Sequence, residues 1–306
     1  MVEAVAFGKL ILFGEHAVVH GQPALAVPLK ALQATVTAEP APSGSGLQIL
    51  LPDVATPLRL ETHDALSVTA QMVLNHLGVP EPDMVLRLTS TIPLQSGFGS
   101  GAAVSTALAR ALSLALGHRI SREDLNAWVY EVEKIHHGTP SGIDNTVIVY
   151  ERPVFFIRNQ TLESFDIAKP FELLVARLGY ATPTHITVGD VRTLYEHDPA
   201  AIQPIFDQIG IISRQARQAI ESGDLTPLGH LMNENHALLR KLTVSDNTLD
   251  RLCQVALDAG AEGAKLSGGG RGGNLIVLAN KNRAAVQEAL LQAGAVEVIH
   301  TWVDES

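Results

Sequence analysis

Pro93-Leu94-Gln95-Ser96-Gly97-Phe98-Gly99-Ser100-Gly101-Ala102-Ala103 follows a stretch, Met84 to Ile92, in which apolar and polar residues alternate. It precedes an Ala- and Leu-rich run that continues to about Leu116. Alternation is the period of a strand, Pro93 ends it, and the run behind the glycines is apolar nearly all round, which predicts a buried helix. Strand, glycine loop and helix together suit an anion such as phosphate. Glycines let the backbone approach a ligand, and the first N–H groups of a helix lack internal partners. A plain tight turn before a buried helix has the same local sequence, so one such loop does not decide between them.

Gly97-x-Gly99-x-x-Ala102 formally matches a dinucleotide-binding fingerprint. That fingerprint needs a second strand closed by an acidic residue, whereas His118 to Asp124 and another helix follow here, which speaks against a nicotinamide site. No G-x-x-x-x-G-K-[ST] motif occurs. A second loop, Ser267-Gly268-Gly269-Gly270-Arg271-Gly272-Gly273, lies between two short apolar strands, Ala264 to Leu266 and Asn274 to Ala279. Five glycines in seven positions weaken structure for no packing benefit, which favours a close approach to a ligand.

Outward from these loops the chain alternates strands and helices. Val5 to Phe13 reads as a strand, Gly14 to Gly21 as a turn-rich segment, Ala24 to Leu29 as a strand, and Pro40 to Gly46 as an exposed hairpin connection. A helix is expected from about Asp64 to Leu77, stopped by Gly78 and Pro80. Ser121 and Asp124 resemble an N-terminal cap, and Leu125, Trp128, Val129, Val132, Ile135 and His136 follow at helical spacing up to Gly138 and Pro140. Val147 to Ile157 reads as a strand closing a first domain. The second half reads strand, three helices, strand, glycine loop, strand, helix, strand, with Phe171 to Leu178 in its sheet. Two domains, residues 1–165 and 166–306, are expected, since single cores stop growing near roughly 250–300 residues.

Composition narrows the function classes. Of 306 residues 46% are hydrophobic and 18% charged, the balance of a packed globular protein. With 32 acidic against 22 basic side chains the net charge is -10, which repels a polyanion, and no Lys/Arg run offsets it, so nucleic acid is not an expected partner. A lone cysteine, Cys253, reads as a small core residue in a reducing compartment. Met1 to Phe13 carries Glu3 before any basic residue and Lys9 within its apolar run, unlike a signal peptide. No stretch has the ~18 apolar residues of a membrane helix. A soluble cytoplasmic protein is expected.

Several charged groups are candidates for chemistry. Lys9 interrupts an apolar strand, although a lysine snorkelling from a strand edge has the same pattern. Glu15 and His16 follow in one loop. His20, His136 and His137 have no convincing metal-ligand spacing and are read as structural. Glu131 and Glu133 flank the apolar stripe of their helix, each at ~100° from its centre, and the helical wheel does not choose between them. Asp144, in Pro140-Ser141-Gly142-Ile143-Asp144-Asn145, stands where a turn leads into an apolar strand, as a turn former also would.

Taken together, these segments resemble the GHMP kinases, and within them the mevalonate kinases. Gly8-Lys9-Leu10-Ile11-Leu12-Phe13-Gly14-Glu15-His16-Ala17-Val18-Val19-His20-Gly21 is similar to the family's N-terminal signature almost residue for residue. Pro93 to Ala103 is similar to its phosphate loop, Glu133 to Asn145 to its third motif, and Lys265 to Asn274 to its C-terminal glycine motif. The resemblance implies an α+β, two-domain fold, with an N-terminal domain like domain 2 of ribosomal protein S5, a C-terminal ferredoxin-like domain, and an active site in the cleft between them. It also implies phosphoryl transfer from ATP, with Mg²⁺, to the 5-hydroxyl of mevalonate, on the mevalonate route to isoprenoids.

By the same resemblance Asp144 accepts the hydroxyl proton, Lys9 stands beside it, and Glu133 binds Mg²⁺. Glu15, His16 and Thr184 contact mevalonate, and Gly97, Phe98, Gly99, Ser100, Gly101, Ala102 and Ala103 wrap the ATP phosphates. The resemblance also allows a homodimer. One departure matters: the family's loop usually reads GLGSSAA, and its second serine helps bind Mg²⁺, where this chain has Gly101. A water or Ser100 is expected to take that place, with weaker metal binding. Gly269 stands where Ala is frequent, and Arg271, inside the glycine run, is either a further phosphate contact or a solvent-facing group. Competing readings are a sibling kinase acting on phosphomevalonate, homoserine or a sugar, a related decarboxylase, and a nucleotide or metabolite sensor without turnover. A phosphorylated substrate would call for an Arg/Lys cluster that the sequence lacks.

Overall fold

The N-terminal apolar run extends as strand β1, Val2–Phe13, and after a single 3-10 turn, Ala17–His20, the chain returns as the long strand β2, Ala24–Pro40. The structure is a computed structural model that describes every residue except 53, 55, 63, 95, 138–140, 159, 161, 162 and 306. By packing the chain divides into two units: residues 1–8, 32–94 and 98–151 form the first, and residues 9–31, 95–97 and 152–306 the second.

In the first unit, residues 34–40 of β2 pair antiparallel with β4, Met84–Ser90, and β3, Leu47–Leu50, runs parallel to β4 on its other side. The segment Pro40 to Gly46 is therefore not the expected hairpin connection, because β4 lies between the strands it joins. Asp83 holds this loop instead, accepting from the amides of Gly44 at 2.9 Å and Gly46 at 2.8 Å.

Helix α1, Ala65–Leu77, ends at Gly78 as expected, with φ of 64°, and Asp64 is not its first residue but its cap, accepting from the amides of Leu66 and Ser67. Helix α2, Ser100–Ala115, is buried over most of its surface. Helix α3, Arg122–His137, begins at the expected cap, with the Asp124 amide donating to Ser121 Oγ at 3.0 Å and the Ser121 hydroxyl to Asp124 at 2.7 Å. Its expected stop at Gly138 and Pro140 lies outside the described residues.

The expected strand at Val147 to Ile157 is corrected. Ile143–Tyr150 is helix α4, and only Val154–Phe156 forms a strand, β5. A β-branched run suggests a strand, but it costs less than about 0.7 kcal/mol per residue in a helix. Val147, Ile148 and Val149 are all buried, and each such burial is worth about 1.5–3 kcal/mol, so packing decides. Arg110 of α2 fastens the end of α4, donating to the Val149 carbonyl at 2.8 Å and pairing with Glu151, and it reaches the Val5 carbonyl of β1 at 3.1 Å.

In the second unit, β5 pairs antiparallel with residues 24–26 of β2 and with the short strand β6, Glu163–Ser164. The rest is built on a four-stranded antiparallel sheet of β7, Phe171–Ala181; β8, Gly263–Ser267; β9, Gly272–Leu278; and β10, Glu297–Val303, in the order β10-β7-β9-β8. Phe171 to Leu178 thus belongs to this sheet, as expected. Four helices, not three, separate β7 from β8: α5, Thr184–His197; α6, Pro199–Ser222; α7, Leu228–Lys241; and α8, Asn247–Asp258. Asp198-Pro199 makes the extra break, because proline suits a first helical position and Asp198 caps the Ala201 amide at 3.0 Å. Helix α9, Arg283–Gln292, leads to β10. Phe206, Ile209, Leu242, Leu249, Leu266 and Val277 lie in this unit's core, with Cys253 among them.

Candidate active-site residues

In the first unit the glycine loop delivers the start of α2. Gly99, at φ 75° and ψ 35°, is its N-cap in the left-handed region and offers no side chain to the first-turn amides. Those amides are the ready anion site that the sequence suggests. Phe98, Ala102 and Ala103 are fully buried, anchoring the loop, while Gly99, Ser100 and Gly101 are half-buried. On α3, Glu131 is exposed and pairs with Lys134 at 2.6 Å, whereas Glu133 is only 3% exposed. The structure thus separates two carboxylates that the helical wheel does not. Asp144 sits half-buried in the first turn of α4, behind Gly142 at φ 91°.

Ser100 and Glu133 offer a hydroxyl and a buried carboxylate, hard oxygens of the kind Mg²⁺ takes. Among the described residues no group of three His, Cys, Asp or Glu side chains could hold a metal by itself. A donor set this small fits an ion that is shared with phosphates and water.

In the second unit Lys9 lies in a run of β1 that is buried on both faces, and it is 5% exposed, so it is not a lysine snorkelling from an edge. Gly14 turns the chain at φ 94°, where any Cβ would come within 2.4 Å of the Ala24 and Pro23 backbone. Glu15 and His16 follow, 1% and 5% exposed, and His16 adopts φ of 61°, a strained conformation for a residue with a side chain.

His16 Nε2 donates to the Gly269 carbonyl at 3.0 Å, which leaves Nδ1 as an acceptor, buried and with no partner among the described residues. Burial pushes the His16 pKa down to about 4, so the ring is neutral at physiological pH. Glu15 pairs through Oε1 with Lys265, whose side chain is as fully buried as its own, and Glu15 Oε2 has no partner among the described residues. Burial raises the Glu15 pKa, opposed by the charges of Lys265 and Lys9.

The second glycine loop, between β8 and β9, is packed against these groups. Ser267 Oγ donates to the Ile11 carbonyl of β1 at 2.7 Å, and Asn274 Nδ2 donates to the carbonyl of Ser96, a residue of the same unit, at 2.6 Å. Gly97, exposed at φ 77°, is close enough that a Cβ there would lie 3.7 Å from Asn274 Nδ2. Thr184, exposed at the first position of α5, stands over Gly269, where a Cβ would come within 2.9 Å of its Oγ1.

Arg271 is partly exposed and tied to its neighbours. It pairs with Asp190, donates to the Thr243 carbonyl at 3.0 Å, and its own carbonyl accepts from the Thr182 amide, so it staples the loop to α5. His20 stacks on Phe206 at 4.1 Å between ring centroids, a structural role as expected. Lys265 is the group that sequence reasoning passed over. Its signal was the one noted for Lys9, a lysine inside a short apolar strand.

Comparison with known proteins identifies the family. The family descriptions "GHMP kinases N terminal domain" and "GHMP kinases C terminal" match residues 65–152 and 216–296. The chain is 35% identical to a mevalonate kinase of Pyrococcus horikoshii over 97% of its own length and 94% of that protein's. The crystal structure of L. major mevalonate kinase in complex with R-mevalonate superposes with a TM-score of 0.86 at 30% identity, over 100% of this chain and 97% of that one. The Methanococcus jannaschii mevalonate kinase shares the fold, with a TM-score of 0.85 at 24% identity, over 100% of this chain and 98% of that one.

Proposed function

Because the chain belongs to the GHMP kinases, and within them to the mevalonate kinases, we propose that it transfers the γ-phosphoryl group of ATP to the 5-hydroxyl of (R)-mevalonate, giving 5-phosphomevalonate and ADP. The observation that carries the choice of substrate is the pair of buried, unpartnered acceptors, Glu15 Oε2 and His16 Nδ1. Two acceptors call for a ligand that brings O–H donors. Neither Glu15 Oε2 nor the neutral His16 ring brings a positive charge to a phosphate in the same place, which favours an unphosphorylated alcohol over phosphomevalonate.

In this reading the amides of Ser100, Gly101 and Ala102 bind phosphate oxygens at the start of α2. Asp144 accepts the proton of the 5-hydroxyl as that oxygen bonds to the γ-phosphorus and the bond to the bridging oxygen of ADP breaks. Lys9 favours the ionised aspartate and the developing alkoxide charge. Glu133, with Ser100, holds Mg²⁺, which when bound neutralises phosphate charge. Glu15, His16 and Thr184 orient the alcohol.

The strand order β10-β7-β9-β8, with helices after β7 and after β9, supports a ferredoxin-like C-terminal domain over residues 166–306. A domain like domain 2 of ribosomal protein S5 is proposed for residues 1–165. The reading places the enzyme in the cytoplasm, where a lone buried thiol such as Cys253 stays reduced. No helix among the described residues is long and apolar enough to cross a membrane.

The test is Mg²⁺- and ATP-dependent ADP release with mevalonate, phosphomevalonate, homoserine and galactose offered separately. Release with mevalonate alone is expected. Preference for another alcohol overturns the substrate, and silence with all four overturns catalysis.

A further inference from the structure

Lys265 occupies the middle of β8, a strand whose five residues are all buried, and its side chain has no exposed surface. Lysine is almost never buried so completely without a partner. Its Nζ donates to Glu15 Oε1 and to the Leu266 carbonyl at 2.7 Å, and it lies 5.8 Å from the centre of the Phe13 ring. The backbone beside it is fixed in turn, since the Leu266 amide donates to His236 Nδ1 at 3.3 Å and the His236 ring faces Asp250 at 3.1 Å.

A buried ion pair of this kind is poor evidence for stability, because desolvating both charges offsets much of their attraction. It does restrict geometry. Glu15 has two equivalent oxygens; Lys265 takes one, and the other is buried without a partner among the described residues. An acceptor left in that state is costly unless a ligand completes it.

We propose that Lys265 is a positioning residue for the alcohol substrate: by holding Glu15 through Oε1, it presents Oε2 to the substrate hydroxyl. The inference rests on the function proposed above for the role of Glu15. Burial raises the Glu15 pKa and lowers that of Lys265, and each opposes the shift of the other. Without the cation, burial favours the protonated Glu15 carboxyl with less to oppose it, and Oε2 is no longer a fixed acceptor.

The experiment compares steady-state kinetics of the wild-type chain with Lys265→Met, Lys265→Arg, Glu15→Gln and the double variant Lys265→Met/Glu15→Gln. For Lys265→Met, KM for the alcohol rises by about tenfold or more at neutral pH, while KM for ATP stays within about twofold. That raised KM falls again as pH increases and Glu15 ionises, a trend the wild type lacks. Lys265→Arg keeps a cation and recovers most of the alcohol KM. The double variant removes both charges and so is expected to fold even where Lys265→Met does not. It should show the alcohol KM of Glu15→Gln with no pH trend.

An unchanged alcohol KM with reduced kcat, a pH trend the same as wild type, or a double variant much worse than Glu15→Gln would each overturn the inference. The alcohol used is whichever of mevalonate, homoserine and galactose the wild type phosphorylates. A wild type that prefers another alcohol overturns the mevalonate reading alone, and the same comparison then decides Lys265. A wild type that phosphorylates none overturns both.

Discussion

Glu15 and Lys265, 250 positions apart in sequence, form an ion pair in which neither side chain has any surface exposed. Removing one partner leaves the other without the charge that offsets its burial. Lys265→Met is therefore expected to lower the unfolding free energy by about 3–5 kcal/mol, and adding Glu15→Gln to restore most of it. Urea midpoints of the two variants check this. A double variant no more stable than the single one contradicts it.

His16 links stability to pH. Its pKa in the folded chain is about 4 against an ordinary 6.5, lowered chiefly by burial, so between those values the unfolded chain holds a proton that the folded chain does not. Its contribution is complete above pH 6.5 and is lost as pH falls toward 4, by up to about 3 kcal/mol at ~1.4 kcal/mol per unit. Thermal unfolding of wild type and His16→Asn across that window is the check. The variant should be less stable at neutral pH and flatter on acidification, and parallel curves would remove His16 as the cause.

A Cβ at Gly269 would come within 2.9 Å of Thr184 Oγ1, 3.2 Å of the Thr184 Cα and 3.2 Å of Thr187 Oγ1. Thr184 opens α5 at the surface while Thr187 is fully buried, so Gly269→Ala should displace the Thr184 end of α5 and its hydroxyl. A rise of about three- to tenfold in the alcohol KM, with KM for ATP unchanged, is expected from steady-state kinetics. Equal KM values in both forms would show that Thr184 does not touch the alcohol.

Asp144→Asn removes a proton acceptor and little volume. Turnover should fall by at least about 10³-fold while ATP affinity, measured by calorimetry, stays within about twofold. Near wild-type turnover would remove Asp144 from the mechanism.

Gly101→Ser adds a hydroxyl to the first turn of α2. The Mg²⁺ concentration giving half-maximal rate should stay level or fall in a titration at fixed ATP, because one more oxygen is offered to the metal. A raised requirement would contradict a metal role for that position.

Much of this architecture was legible because the signals were local. Ser121 and Asp124 mark a helix start by side-chain chemistry and Gly78 a helix end by its left-handed backbone, neither depending on distant residues, and the glycine loops announce themselves. Helix α4 was not legible, since Val147-Ile148-Val149 has strand character and only burial on all sides makes a helix there. Nor was the path of β3, whose partner β4 lies more than 30 residues onward. Among the candidate residues, Lys9, Glu15 and His16 lie within one short stretch of sequence and stood out together. Lys265 did not, because its significance lies in a contact with Glu15 that no local pattern encodes. Arg271 likewise acquires a role only through Asp190 and Thr243.

The most direct test of the central claim is to identify the product. The purified chain, incubated with ATP, Mg²⁺ and (R)-mevalonate, should yield one new phosphate monoester whose phosphorus couples, in two-dimensional ³¹P–¹H NMR, to the methylene protons of carbon 5. A mixture that leaves mevalonate unchanged, or a phosphorus without coupling to that methylene, would contradict the account.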